Sequence, residues 1–494
     1  MVAVKNEIHP LVGLAEDEEI WAQIHLDKNS RRQLLSLIAE GNPAVPCSKL
    51  SAEMPHTGNA VFRKKTIAGE DWLVPQRFGR MVDFFLRRSA AAQPRSGSAE
   101  ITALLASDAN CLLTGGPGTG KSYQIEALVR HLAEQTAERP LRITIAAPTG
   151  KAAARFASLK TTEGVILECV TIHRLLALSD DFAEPRFHER HPLGVDLLIV
   201  DEISMLDLGL FTALIGALPD HARVVLAGDL GQLPAVEGMP IEHCLAFLEK
   251  CRLVTRVHLT QVFRFTEARS LTYQRIAESG LQAINENSEG VSLHTVRHAA
   301  DVRDLLERRA AERFHSVTAL ALRRRLAADS ANNKPDKELA REVFSWLREQ
   351  VVLTTRREGA LGSVSLNTAI ASRVAQDTHD RTLMPIIASA NNYRLGVFNG
   401  DMGFIASLRG REYAVMEASE GDVIIIPLAE LSGWQAAYAI TVHKSQGSEY
   451  GEVWLVYEEP AETPTEDFRL LYTAVTRARN HAHILRIAAT GKRP

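Results

Sequence analysis

Residues 111–122 read CLLTGGPGTGKS, and YQIEALVRHLAEQ follows them directly. A short apolar run, a glycine-rich turn and apolar residues at helical spacing specify a strand, a loop and a helix in immediate succession. A strand that feeds straight into a helix returns to its sheet by a crossover. That commits the chain to parallel strands with helices on both faces. Between residues 109 and 265 the same rhythm recurs in LRITIAAP, VDLLIVDE, ARVVLAGD and RVHLT. The expected fold class is therefore α/β. A charged interruption before Val195, SDDFAEPRFHERHP, reads as a surface insertion.

Around this series the chain divides into three expected domains. Residues 1–95 form a mostly helical N-terminal domain: EDEEIWAQIHL, NSRRQLLSLIAE and RFGRMVDFFLRR have helical patterns, and AVFRKKTIAGEDWLVP reads as strand–turn–strand. Its part is either a buttress or a docking module. The segment AAAQPRSGSAE, with Pro, Gly and Ser grouped, marks the boundary to a first α/β domain, 96–265. Residues 266–350 are helical and charged, and VVLTTRR, YAITVHKS, EVWLVYEE and HAHILRI then open a second alternating set within 266–494. Inside it, MPIIASA, GVFNGDMGFIASL, EYAVMEA and DVIIIPL, with Asn-Gly and Gly-Asp turns, predict a small β-barrel-like insert at about 391–436.

Composition narrows the class further. With 494 residues, 46% hydrophobic and 23% charged, the chain is long enough for several self-sufficient cores. Five scattered cysteines form no CxxC pair and no zinc-spaced cluster, so they read as reduced thiols in a cytoplasmic chain. The N-terminal stretch lacks a secretory h-region, and no apolar run has membrane-spanning length, so no membrane partner is expected. A formal charge of −4 argues against coating nucleic acid by global charge and leaves room for a local basic groove.

The chemistry begins at the glycine loop. Gly115, Gly116, Pro117, Gly118, Thr119, Gly120, Lys121 and Ser122 complete the P-loop pattern. Its glycines turn backbone N–H groups inward onto phosphate oxygens, aided by the helix N-terminus. Lys121 supplies a point charge to the outer phosphates, and the Ser122 hydroxyl can hold Mg²⁺. Asp201 and Glu202 end the apolar run VDLLIVDE, at the strand end where parallel sheets bind ligands. Asp201 suits the metal and Glu202 suits the attacking water. Gln232 in GDLGQLP is placed to sense the γ-phosphate. Arg264 in LTQVFRF and Arg477 in YTAVTRAR offer positive charge that arrives on closure.

Taken together, GGPGTGKS, APTGKAAARF, TIHRLL, VDEISML, GDLGQLPAVEG, LTQVFRF, ITVHKSQGSEY and LYTAVTRAR occur in the order of superfamily 1 helicase motifs. The sequence resembles the RecD branch, the α subunits of bacterial exodeoxyribonuclease V, with LPDHARVVLAGD, TTRREGALGSVSLN and LGVFNGDMGFI adding to the match. The resemblance implies two RecA-like motor domains, ATP with Mg²⁺, and single-stranded DNA or DNA ends as substrate. It further implies RecB- and RecC-like subunits in a heterotrimer, 5′ to 3′ movement, and a role in double-strand break repair and recombination. Lys121, Asp201, Glu202, Gln232, Arg264 and Arg477 take the catalytic roles, and Glu449 lies near the nucleotide sugar. Thr149, Lys151, His173, Thr441, His443 and Ser445 form the DNA-facing set, whose short hydroxyls and lysine suit a backbone tracked without reading bases.

The sequence departs from the family in two respects. The chain is shorter in its N-terminal part and after His173, and the adenine-reading glutamine has no clear counterpart. Gln93 stands at a tolerable distance, among Pro, Gly and Ser. Two other readings stay open: a stand-alone superfamily 1 helicase, and a regulatory ATPase that no longer translocates. Intact Lys121, Glu202, Arg264 and Arg477 argue against the second.

Overall fold

The computed structural model describes residues 34–38, 42–49, 62–87, 98–135, 139–156, 159, 164–178, 185–236, 238–328, 336–375, 380–392, 394–408, 410–417, 422–458 and 466–487. They fall into two units. The first comprises Met1–Pro148, Ser158–Leu230 and Pro234–Phe263; the second comprises Thr149–Ala157, Gly231–Leu233 and Arg264–Pro494.

In the first unit, β1 (Val45–Pro46), β2 (Phe62–Ile67) and β3 (Glu70–Pro75) make an antiparallel sheet in the order β1-β3-β2. Ala68 and Gly69, at φ 51° and 81°, form the tight hairpin turn between β2 and β3. Strands β2 and β3 are the strand–turn–strand expected at AVFRKKTIAGEDWLVP. Among the described residues there, the helical segments are 34–38, the short turn Cys47–Lys49, the turn Gln76–Phe78 and the helix Gly79–Leu86. The stretch EDEEIWAQIHL lies outside the described residues, as does Gln93. Among the described residues, this region shares its core with the helices of the main sheet. Met81, Phe84 and Phe85 join the cluster built by the helix Leu208–Gly216, where Phe85 stacks on Phe211 at 6.3 Å. Trp72 meets Phe247 edge-on at 5.0 Å.

The main sheet of this unit contains β4 (Cys111–Gly115), β5 (Leu141–Ala147), β6 (Val165–Thr171), β7 (Leu197–Val200), β8 (Arg223–Gly228) and β9 (Thr255–Leu259). All pair in parallel, in the order β6-β5-β7-β8-β4-β9. The central strands β4, β7 and β8 are buried along their whole length, as expected of strands covered on both faces. At the floor, Asp196 just before β7 binds two neighbouring segments. It accepts from both Arg139 Nη1 (2.8 Å) and Nη2 (2.7 Å), and from the Arg142 N–H at 2.9 Å. His221 Nε2 stands 3.2 Å away. The Arg139 guanidinium holds this carboxyl down at about 2.

In the second unit, β10 (Val291–Val296) and β11 (Gln350–Thr354) start a parallel sheet. A separate antiparallel sheet then interrupts it: β12 (Pro385–Ala388), β13 (Met402–Leu408), β14 (Arg411–Glu417), β15 (Val423–Pro427) and β16 (Trp434–Ala436). The parallel sheet resumes with β17 (Ala439–Thr441), β18 (Tyr450–Glu458) and β19 (Ala478–Ile487), in the order β10-β19-β18-β11-β17. The inserted sheet runs β15-β14-β13-β12-β16, with β15 and β16 at its two edges. It is an open sheet among the described residues, not the expected barrel-like closure. Closure requires the outer strands to pair, and β16 pairs with β12 instead. Both units are thus parallel α/β sheets of the RecA-like kind. No helix of the described residues is long and apolar enough to cross a membrane.

Candidate nucleotide-binding site

In the first unit, β4 delivers the chain into the phosphate loop and the helix Lys121–Glu134 carries it away. Gly118 and Gly120 hold φ of 74° and 86°, left-handed values that side chains resist and that let the loop curl. Thr119 Oγ1 donates to the Gly116 carbonyl at 2.8 Å and stiffens the curl. The Lys121 ammonium donates to the carbonyls of Gly115 (2.6 Å) and Gly116 (2.9 Å), folded back over its own loop. Gly116, Pro117, Gly118, Gly120 and Ser122 are half-buried at the loop's surface.

Asp201 follows β7 directly. Its N–H bonds to the Ala146 carbonyl at 2.9 Å, and its Oδ1 accepts from the Glu202 N–H at 2.9 Å. Both acids are buried. Glu202 sits at φ 54°, ψ 44°, a left-handed backbone that costs an L-residue roughly 1–2 kcal/mol. Strain of this kind persists only where the surroundings enforce it, and it concentrates at functional positions. The donor set of Ser122 hydroxyl and Asp201 carboxylate is hard oxygen, which fits Mg²⁺.

One feature of this loop escaped the motif reading. Phe263 donates its N–H to the Gly118 carbonyl at 2.9 Å, yet its ring is 72% exposed. Tyr123 is 61% exposed, and a Cβ added at Gly120 would meet both the Phe263 ring (3.7 Å) and Tyr123 (4.0 Å). Two large aromatic faces left in solvent beside a phosphate loop can stack a base. The signal was an aromatic residue immediately before Arg264.

The second unit gathers the remaining polar residues. Arg477 is buried and donates through Nη2 to Gln232 Oε1 at 2.8 Å, and through Nε to the Thr473 carbonyl at 3.1 Å. The segment Gly231–Leu233 is tied down on both sides: Leu233 N–H donates to Thr473 Oγ1 (2.9 Å), and Gln446 Nε2 donates to the Leu233 carbonyl (3.2 Å). Arg264 forms a bidentate ion pair with Glu449, so these two predicted residues meet each other. Burial lowers the Arg264 pKa, and the charges of Arg155, Arg477 and Arg479 lower it further. Like charges gathered this closely favour a bound anion.

Of the predicted DNA-facing residues, Thr149 caps the helix Gly150–Ala154 by accepting from the Ala152 N–H at 3.3 Å. Lys151 is half-buried and donates to Ser448 Oγ at 3.2 Å; burial lowers its pKa against the pull of Glu417 and Asp401. His173 is exposed on the helix Ile172–Leu175 of the first unit. Thr441 ends β17 and His443 and Ser445 share the turn that follows, where Thr441 Oγ1 accepts from the Lys444 N–H at 3.4 Å. Burial lowers the His443 pKa. Ser445 departs from expectation: its side chain is 0% exposed and its hydroxyl donates to the Val442 carbonyl at 2.6 Å. Its hydroxyl closes the turn instead of facing a strand of DNA.

An AAA domain family matches residues 99–237, and a UvrD-like helicase C-terminal domain family matches residues 436–485. The RecBCD enzyme subunit RecD of Mycolicibacterium smegmatis is 31% identical over 404 residues, covering 76% of this chain and 68% of that protein. This chain belongs to the RecD family. The ATP-dependent RecD2 DNA helicase of Deinococcus radiodurans is also 31% identical, over 428 residues, covering 83% of this chain and 50% of that one. The chain therefore spans half the length of the Deinococcus RecD relative and about two thirds of the mycobacterial one. A solved Pif1 helicase from Bacteroides, in complex with ADP-AlF3 and ssDNA, aligns at 18% identity and TM-score 0.45, covering 81% of this chain and 94% of that one.

Proposed function

We propose that this RecD-family chain is an ATP-driven motor that moves 5′ to 3′ along single-stranded DNA and unwinds duplex ahead of it. Glu202 carries the reading: a carboxylate held in strained backbone at the end of β7, in the sheet whose β4 runs into the phosphate loop. In this reading Lys121 exchanges its loop carbonyls for the β- and γ-phosphates, and Ser122 with Asp201 holds Mg²⁺. Mg²⁺ held there would neutralise phosphate charge. Glu202 accepts hydrogen from the attacking water and orients it. Phe263 and Tyr123 give the base a flat apolar seat.

Arg264, Arg477 and Gln232 sense the γ-phosphate, and Arg264 exchanges Glu449 for it. Glu449 is then free to meet the sugar. Thr149, Lys151, His173, Thr441 and His443 line the DNA path, with Ser445 holding its turn. Conversion of hydrolysis into steps requires two grips that alternate: His173 lies in the first unit, whereas Thr149 and Lys151 of APTGK join TVHKSQG in the second. Residues 1–95, 96–265 and 266–494, with an insert at about 391–436, are proposed as buttress, first motor domain and second motor domain. The shared core of Phe85 and Phe211 favours the buttress.

The partners in this reading are RecB- and RecC-like subunits, which the name of the mycobacterial relatives, RecBCD enzyme subunit RecD, supports. The Deinococcus relative is named as a DNA helicase and not as a RecBCD subunit, at similar identity, which supports action without such partners as a second reading. A tailed-duplex assay run on the chain alone and with co-purified subunits tests both. DNA-stimulated ATP turnover with unwinding from 5′ tails is expected. Unwinding only from 3′ tails overturns the polarity, and full processive activity of the isolated chain overturns the need for partners.

A further inference from the structure

The helix Glu267–Ser279 begins just after Arg264 and Phe265, with Thr266 as its cap. Arg269, in its first turn, is only 7% exposed. Its guanidinium binds three consecutive main-chain carbonyls: Nη2 donates to Ala478 (2.9 Å), and Nη1 donates to Arg479 (2.9 Å) and Asn480 (2.8 Å). Its Nε donates to the Tyr273 hydroxyl at 2.7 Å, one turn along the same helix. Rings close over the fork, with the Phe265 centroid 4.7 Å and the Tyr273 centroid 5.3 Å from its central carbon. On another side stands Gly290, at φ 74°, where an added Cβ would come within 2.5 Å of Nε. A bare backbone there leaves room for the fork.

The three carbonyls belong to the residues immediately after Arg477. Arg477 is itself held through its side chain by Thr473 and Gln232. Five residues before Arg269 in the chain stands Arg264. One buried guanidinium thus joins the segment that carries Arg264 to the turn that carries Arg477. Burying a charge on carbonyls alone is an expensive way to fill space, since apolar residues of similar volume pack as well or better. The planar fork does what apolar packing cannot: it fixes the direction of three successive peptide groups.

We propose that Arg269 is a positioning residue for ATP hydrolysis, setting the backbone from which Arg477 reaches the nucleotide. It rests on the proposed role of Arg477 in sensing the γ-phosphate, and goes beyond it by naming what aims that residue. An ammonium cannot span three carbonyls and a phenol, so Arg269→Lys keeps the charge and loses the geometry.

The experiment measures single-strand-stimulated ATP turnover by the full chain for Arg269→Lys, Arg477→Lys and the double variant. Arg269→Lys should lower kcat by roughly 10–100-fold, the cost of misplacing a reacting group by about an ångström, with KM for ATP within about twofold. In the Arg477→Lys background the same change should cost less than about twofold, because residues acting as one unit are not additive. A full and equal loss in both backgrounds, or a parent rate for Arg269→Lys, overturns the proposal. If Arg477→Lys alone turns over at the parent rate, the role of Arg477 falls and the proposal falls with it, a result distinct from additivity. Should Arg269→Lys not fold, Tyr273→Phe removes one acceptor and keeps the ring. A several-fold kcat loss that vanishes in the Arg477→Lys background supports the proposal, and a loss of equal size in both, or none, refutes it.

Discussion

The backbone of Glu202 makes a prediction whose sign is unusual. At an ordinary helix or strand position, Ala is more stable than Gly by roughly 0.5–1 kcal/mol, because Gly loses more freedom on folding. At Glu202, with φ 54° and ψ 44°, an L-residue carries about 1–2 kcal/mol of left-handed strain that Gly does not. Glu202→Ala and Glu202→Gly both delete the carboxylate and whatever it contacts, so those losses cancel in the comparison. What remains is the strain less the Gly entropy, about 0.5–1 kcal/mol in favour of Gly. Urea unfolding followed by fluorescence reads this as a higher midpoint for the Gly variant, by about 0.3 M for a slope near 3 kcal/mol/M. Both variants should lose ATP turnover by orders of magnitude. An Ala variant as stable as the Gly variant refutes the claim that this residue stores backbone strain.

Three further outcomes are expected. Lys121→Ala should lose ATP binding in a fluorescent-nucleotide titration, whereas Glu202→Gln should keep binding and lose phosphate release; near-parent release by Glu202→Gln contradicts its role. Asp401 is buried and its carboxyl is raised to about 6, so folding favours its protonated form. Its contribution is fully present below about pH 4 and is lost as pH rises through 6; Asp401→Asn should therefore gain up to about 3 kcal/mol over the parent at pH 8 and nothing at pH 4, read by urea midpoints at both. Affinity for single strands should fall steeply with salt, with a log–log slope near −0.7 per phosphate contacted, and vary little with base sequence; a salt-independent affinity contradicts backbone tracking.

The parts of this fold that could be read from sequence are those whose signal is local. Strands β4, β7 and β8 are buried along their whole length and read as apolar runs, and β5 and the edge strand β9, interrupted by Arg256 and His258, stood out beside them. The two parallel strands that did not, β6 and β10, are sheet edges: Ile166 is 54% exposed on β6, and β10 alternates without an apolar run. An edge strand is bounded on one side only, so its pattern is weaker. The open form of the inserted sheet was equally hidden, since β16 chooses β12 over β15 through long-range pairing that no turn residue encodes. The phosphate loop and its acids are contiguous motifs and were legible. The Arg264–Glu449 pair joins two motifs 185 residues apart, and the burial of Ser445 depends on how its turn packs. Arg269 left no trace at all, because its partners are main-chain carbonyls 209 to 211 residues away, and a carbonyl has no letter in the sequence.

Strand β7 carries an acid at each end, Asp196 below and Asp201 above, with four buried aliphatic residues between. The lower acid is moored to Arg139, Arg142 and the neighbourhood of His221, so the strand behaves as a strut footed on its neighbours. A strut that cannot slide along its own length cannot absorb a push on its tip. In the proposed role of Asp201, a pull from bound phosphate would leave through the turn beyond Glu202, and compliance at the foot would be lost stroke.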